Sequence, residues 1–186
     1  MHTEPAYSEI FLTRCAFVIY GKKVYKSFSD RLPLEGAKEV LDFGCGMGTV
    51  AYYTLKRLES GRLTCLDISE RWLKACRKTL RDFPDVSFIN DRAALENDCF
   101  DIIYCHFVLH DIQESELEEA IPDLVRALKC GGVLVFREPL KEVQKLVTIK
   151  RLLSENGLIL KDSRITDVPL MGNSLESVYM KAEPAD

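Results

Sequence analysis

Three glycines at alternate positions follow a short apolar run in Asp42-Phe43-Gly44-Cys45-Gly46-Met47-Gly48. Glycine between a strand and a helix lets backbone N–H groups come close to a ligand. Taken alone, the pattern fits a bare strand-to-helix turn as well as a binding loop. A dinucleotide loop wants Gly-x-Gly-x-x-Gly, whereas the sixth position here is Thr49. Asp42 would also repel a pyrophosphate, while a ligand carrying an ammonium and a sulfonium would be drawn to it.

Asp67 stands 19 residues after Gly48. A carboxylate at that distance can accept both hydroxyls of a ribose, or it can simply sit at a helix N-terminus beside Ser69. Asp91 is placed to accept from an adenine amino group, or to be a solvated turn residue. Further on, His106-Phe107-Val108-Leu109-His110-Asp111 carries two of the three histidines. His110 is the candidate base, because a neutral imidazole takes a proton near neutral pH; the competing reading is a histidine that fixes its loop. His106 reads as a backbone contact. Glu138 could orient an amine acceptor or pair with a nearby lysine. Cys105 could bind a soft partner, but a cysteine at a strand end is more often a small buried hydrophobe.

The elements that must position these residues alternate. Val40–Phe43, Arg62–Ile68, Val86–Asn90, Phe100–Cys105 and Val133–Arg137 read as strands. Helices are expected over Thr49–Ser60 with Gly61 as its stop, from a Ser69 cap to Leu80, and over Leu140–Asn156. Another is expected from a capping box at Ser115-Glu116-Leu117-Glu118 to Lys129, kinked or interrupted at Pro122. Leu158–Val168 and Ser177–Lys181 form a final hairpin around Pro169, Gly172 and Asn173. Such alternation implies an α/β fold with a mostly parallel sheet, whose ligands bind beyond the carboxyl ends of the strands. Asp42 to Gly48, Asp67, Asp91, Cys105 onward and Glu138 all fall there.

The 186 residues fit one domain, and a net charge of −4 argues against a nucleic-acid partner. Seven cysteines without a Cys-x-x-Cys pair argue against a disulfide framework and a zinc site, so no metal is expected. Reduced thiols, no signal peptide and no spanning apolar run lead to the expectation of a cytoplasmic protein without a membrane partner.

The chain resembles the class I S-adenosylmethionine-dependent methyltransferases. The matching segments are Val40 to Gly48, Leu66-Asp67-Ile68-Ser69, Phe88-Ile89-Asn90-Asp91, Phe100 to Tyr104, and Leu128 to Leu134, in family order and spacing. The stretch after the fourth strand is similar to that of small-molecule enzymes of methyltransferase type 11, including quinone-biosynthetic groups. It departs from the Asn/Asp-Pro-Pro-Tyr/Phe element of amino-directed DNA enzymes. The resemblance implies a Rossmann-like seven-stranded sheet of order 3-2-1-4-5-7-6, last strand antiparallel, with helices on both faces. It implies S-adenosylmethionine as cofactor and S-adenosylhomocysteine as product. Asp42, Gly44, Cys45 and Gly46 would face the methionine portion, Asp67 the ribose, and Ile68, Asp91, Arg92 and Ala93 the adenine. Cys105 and His106 would lie by the methyl, with His106, His110 and Glu138 lining the acceptor pocket.

Residues 36–186 would be the methyltransferase domain. Residues 1–35, rich in aromatics, would form a helical segment that covers the site or merely packs on the sheet. The expected acceptor is a small molecule. A protein or RNA acceptor at an open site, a non-catalytic regulatory protein that binds the cofactor, and a nucleotide-dependent oxidoreductase are the competing readings. The oligomeric state is not legible.

Overall fold

The computed structural model describes residues 4–182. The extreme ends of both expected segments, residues 1–3 and 183–186, lie outside the described residues. Seven strands form a sheet of order β3-β2-β1-β4-β5-β7-β6, the order expected for a Rossmann-like fold of this kind. Two compact units divide after Asp91.

The first unit opens with helix α1 (Tyr7–Gly21), a π-helical turn (Lys22–Lys26) and the short α2 (Ser27–Ser29). Val24, Phe28, Leu32 and Leu34 are buried and join the unit's core, whereas in α1 only Gly21 is buried. Strand β1 (Ala37–Phe43) runs parallel to β2 (Ser60–Leu66), which runs parallel to β3 (Val86–Ile89). Helices α3 (Thr49–Leu55) and α4 (Glu70–Thr79) follow β1 and β2. The Ser69 side chain caps α4 by accepting from Trp72 N, as its sequence position predicts.

Helix α3 is shorter than its sequence pattern predicts. Backbone N–H groups of Arg57 and Leu58 both return to Thr54 O, and the Arg57 guanidinium donates to Leu32 O. Gly61 is therefore not a helix stop but a residue of β2. Its φ is +108°, and a Cβ there would lie 2.0 Å from Lys38 O, so the close approach of β1 requires glycine.

The second unit contains β4 (Phe100–His106), a 3-10 turn (Leu109–Asp111), α5 (Glu114–Ala127), β5 (Leu128–Pro139), α6 (Val143–Glu155), β6 (Leu158–Val168) and β7 (Gly172–Lys181). β4 and β5 are parallel, while β7 is antiparallel to both β5 and β6. Strand β5 starts earlier than predicted: Phe100 pairs with Leu128 and Ile102 with Val133, so Lys129 to Gly132 bulge out between them. Two other expectations are corrected. Helix α5 begins at Glu114 after Gln113, without a side-chain cap from Ser115, and it continues through Pro122. Helix α6 starts at Val143, after Leu140 and Glu142 have turned back on Asn173 O and Pro139 O.

Candidate functional site

In the first unit the glycine loop is folded over the end of β2. Gly44 N and Cys45 N both donate to Leu66 O, at 2.8 and 3.0 Å. The register places Asp42 beside Cys65 and Phe43 beside Leu66, so the loop and Asp67 leave adjacent strands at the same level. Asp67 joins the two segments: its Oδ2 accepts from Gly46 N and its Oδ1 from Ser69 N, each at 2.9 Å.

Gly44, Gly46 and Gly48 all have positive φ, a region that disfavours residues with a Cβ. Their surroundings differ. A Cβ on Gly48 would come 2.7 Å from Cys76 Sγ, whereas one on Gly46 would meet nothing within 4 Å. The Gly46 face is thus open to a ligand. Asp42 and Asp67 are buried at 2% and 8% exposure, while the apolar Ile68 between Asp67 and Ser69 is 58% exposed. Buried carboxylates, an open glycine face and an exposed flat-packing apolar side chain fit a nucleoside carrying a cationic tail. Asp91 is solvent-exposed at the end of this unit.

Cys45, Cys65 and Cys76 meet behind the loop, with sulfurs within 4.8 Å of one another. Burial pushes the Cys45 and Cys65 thiols well up. Hydrogen bonding from those two brings Cys76 down to about 5.

Ser69 also reaches the N-terminal segment. Its hydroxyl donates to Glu4 Oε2 at 2.5 Å, and the Arg71 guanidinium donates to Pro5 O at 2.8 Å. Phe17 of α1 packs edge-on against Tyr52 and Tyr53 of α3.

In the second unit Arg92 is committed to α5. Its Nε donates to Asp123 Oδ2 at 2.6 Å, and its Nη2 lies 3.3 Å from Glu119 Oε2. Ala93 is exposed and Cys105 is buried in β4. The β4–β5 register sets His106 beside Arg137. Burial, helped by the Arg137 charge, lowers the His106 pKa well below the usual histidine value, so its imidazole is neutral.

Glu138 is fully buried. One oxygen accepts from Val108 N and Leu109 N at 3.0 and 2.8 Å, and the other lies 2.5 Å from His110 Nδ1. Its partner is thus His110, not the lysine considered from sequence. Burial alone would lower the His110 pKa, but the Glu138 hydrogen bond and charge outweigh it and raise the pKa. Arg137 next to it forms a buried ion pair with Glu176, Nη2 to Oε2 2.6 Å.

Three features escape sequence reasoning: the thiol cluster, the Glu138–His110 pair and the Glu4–Ser69 link. Each joins residues from separate elements, and no local spacing announces them.

A family model described as a methyltransferase domain matches residues 40–132. The chain is 32% identical over 122 residues to the tRNA N(3)-methylcytidine methyltransferase trm141 of Schizosaccharomyces pombe, covering 61% of this chain and 48% of that protein. It is 31% identical over 139 residues to the ubiquinone/menaquinone biosynthesis C-methyltransferase UbiE of Shewanella halifaxensis, covering 67% and 55%. The chain therefore spans about half the length of these curated relatives. The fold is similar to that of a SAM-dependent methyltransferase from Aquifex aeolicus, with TM-score 0.77, 18% identity and coverage of 95% and 99%.

Proposed function

The chain belongs to the methyltransferase-domain family of class I S-adenosylmethionine-dependent methyltransferases, and from that premise we propose that it transfers a methyl group from S-adenosylmethionine to a small molecule. The observation that carries the proposal is the Asp67 carboxylate, bonded to Gly46 N and Ser69 N beside the open face of Gly46. A carboxylate oxygen can accept more than one hydrogen bond, which is the chemistry a ribose hydroxyl needs. Asp42 and the Gly44 to Gly46 backbone would hold the methionine portion, and Ile68 would pack on the adenine. Asp91 and the Ala93 backbone would border its edge.

When bound, the cofactor supplies a methyl group already activated on a sulfonium. The protein's part is to align and to exclude water. His110, oriented by Glu138, would accept a proton where the acceptor has one to lose. Cys105 and His106 are also assigned to the methyl end in this proposal.

The small-molecule reading draws on the similarity to the quinone-biosynthetic relative. Helix α6 takes up most of the stretch between Glu138 and Leu158, which leaves no large insertion there. The N-terminal segment is the proposed cover, tied to α4 through Glu4 and Ser69. The similarity to trm141 favours a second reading, a tRNA acceptor. No disulfide joins the seven cysteines, and no helix among the described residues is long and apolar enough to cross a membrane. We place the activity in the cytoplasm.

Titration calorimetry with S-adenosylmethionine, S-adenosylhomocysteine and NAD tests the cofactor. Binding of the first two and not the third is expected, and binding of NAD alone would refute it. Incubation with the cofactor and either a metabolite extract or bulk tRNA then separates the acceptors by mass spectrometry. A +14 Da metabolite supports the small-molecule reading, a methylated nucleoside overturns it, and neither product favours a non-catalytic binder.

A further inference from the structure

Cys45 lies in the glycine loop, Cys65 in β2 and Cys76 in α4. All three are buried, and their sulfurs lie within 4.8 Å of one another. We propose that they form a three-thiolate site for a soft d10 cation of the copper(I) class, built against the back of the glycine loop.

The donor set is all sulfur, which selects soft ions over magnesium, calcium or manganese. The spacing suits coordination. A metal–sulfur bond of about 2.3 Å places three sulfurs around one trigonal ion about 4 Å apart, so shifts of less than about 1 Å close the site. Coordination number separates the soft ions. Structural zinc takes four ligands, and among the described residues the cluster holds three candidate donors and no fourth. Copper(I) is content with three thiolates. Asp42 is the partner of Cys65 in the β1–β2 register, so the site lies on a strand pair that also carries a negative charge.

The position gives the site a consequence. Cys45 belongs to the loop whose Gly46 N–H bonds Asp67. Cys76 Sγ is the atom that a Cβ on Gly48 would strike. A bound ion would cross-link the loop, β2 and α4, the three segments that bring Gly46, Asp67 and Ser69 together. Copper enters and remains as copper(I). Each new copper–sulfur bond is made by a deprotonated sulfur, and any thiol proton is released to solvent. The competing account is that three small hydrophobic side chains happen to pack in one place.

The test uses the full chain, reduced and anaerobic, titrated with copper(I) as its bicinchoninate complex. One equivalent is expected to leave the chelator, with a rise in melting temperature, since an ion that binds only the folded state stabilises it. Copper-edge X-ray absorption on the wild type should show three sulfur neighbours. Cys45→Ala, Cys65→Ala and Cys76→Ala should each lose that equivalent to the same chelator, and exposed Cys130→Ala should keep it. The proposal falls if no copper is taken up, if folded Cys76→Ala retains it, or if absorption shows two sulfurs or nitrogen and oxygen neighbours. Should the alanine variants fail to fold, the absorption measurement on the wild type decides alone.

Discussion

Glu138 Oε2 lies 2.5 Å from His110 Nδ1, while Glu138 Oε1 holds the backbone N–H groups of Val108 and Leu109. One buried carboxylate therefore fixes both the ring and the turn that carries it. With Nδ1–H donating, the ring nitrogen left for proton transfer is Nε2, which lies 3.3 Å from Asp111 Oδ1. In the proposed reaction Glu138 would act through His110, as a positioning residue.

The pair sets a pH dependence with a definite sign. The folded-state pKa of His110 is raised, so its contribution to stability is complete below the unfolded value of about 6.5 and is lost as pH rises through the folded value. Thermal melts across pH should show the gap between wild type and His110→Gln largest on the acid side and closing above it. If His110 is the proton acceptor, kcat/KM should rise with pH through its raised pKa. Glu138→Gln should move that limb to lower pH, because it removes the charge but keeps an acceptor for Val108 N and Leu109 N. An unmoved limb in folded Glu138→Gln excludes His110 as the titrating base.

Asp67→Ala should weaken S-adenosylmethionine binding by about 1.5–3 kcal/mol, the range for hydrogen bonds to a charged group. The structure adds a reason to include Asp67→Asn. The carboxylate also holds Gly46 N and Ser69 N, and the amide keeps one acceptor for them. Asp67→Asn should therefore lose less affinity than Asp67→Ala in calorimetry. Equal affinity in wild type and both folded variants would contradict the ribose role.

How much of this was legible in the chain depends on the range over which each feature is decided. Ser69 announced its cap, because capping is settled within one helical turn. Leu158–Val168 was read to the residue, because the glycine before it and the proline after it punctuate the strand. Gly61 differs: a glycine after a helical pattern resembles a stop, and only the approach of Lys38 O from β1 shows why a side chain is excluded. Ser115 fits a capping-box pattern, yet the helix starts two residues earlier, after Gln113. Glu138 and His110 meet because parallel β4 and β5 set His106 opposite Arg137, so Glu138, still within β5, comes beside the turn that follows β4. Cys45, Cys65 and Cys76 share no motif at all, and their convergence is a property of the loop, β2 and α4 together.

The glycines of the loop should separate binding from stability. Gly46→Ala forces a left-handed residue, costing about 1–2 kcal/mol, but its Cβ projects into open space. Gly48→Ala carries the same strain and also drives a Cβ to 2.7 Å from Cys76 Sγ and 3.3 Å from Leu80. Denaturant melts should therefore show Gly48→Ala as the less stable variant. Calorimetry should show Gly46→Ala as a folded protein whose cofactor affinity has dropped. A Gly46→Ala variant that binds as tightly as wild type would remove the open face from the site.

The N-terminal cover is best tested by a small cut. Removing residues 1–30 would take Val24 and Phe28 from the core, and loss of binding would then report unfolding. Removing residues 1–5 takes Glu4 and Pro5 from their contacts with Ser69 and Arg71 and leaves α1 with its Ala6 N-cap. Ser69 bonds Glu4 through its hydroxyl and Asp67 through its backbone N–H. The tether thus ends one residue from the proposed adenine contact, Ile68, and two from the proposed ribose ligand. If the segment covers the cofactor, the cut should speed dissociation of S-adenosylhomocysteine several-fold, by stopped-flow displacement, while the melting temperature changes little. Glu4→Gln should fall between wild type and the cut, because the amide still accepts from Ser69 without the charge. Dissociation at the wild-type rate in a folded truncated protein would leave α1 as packing alone.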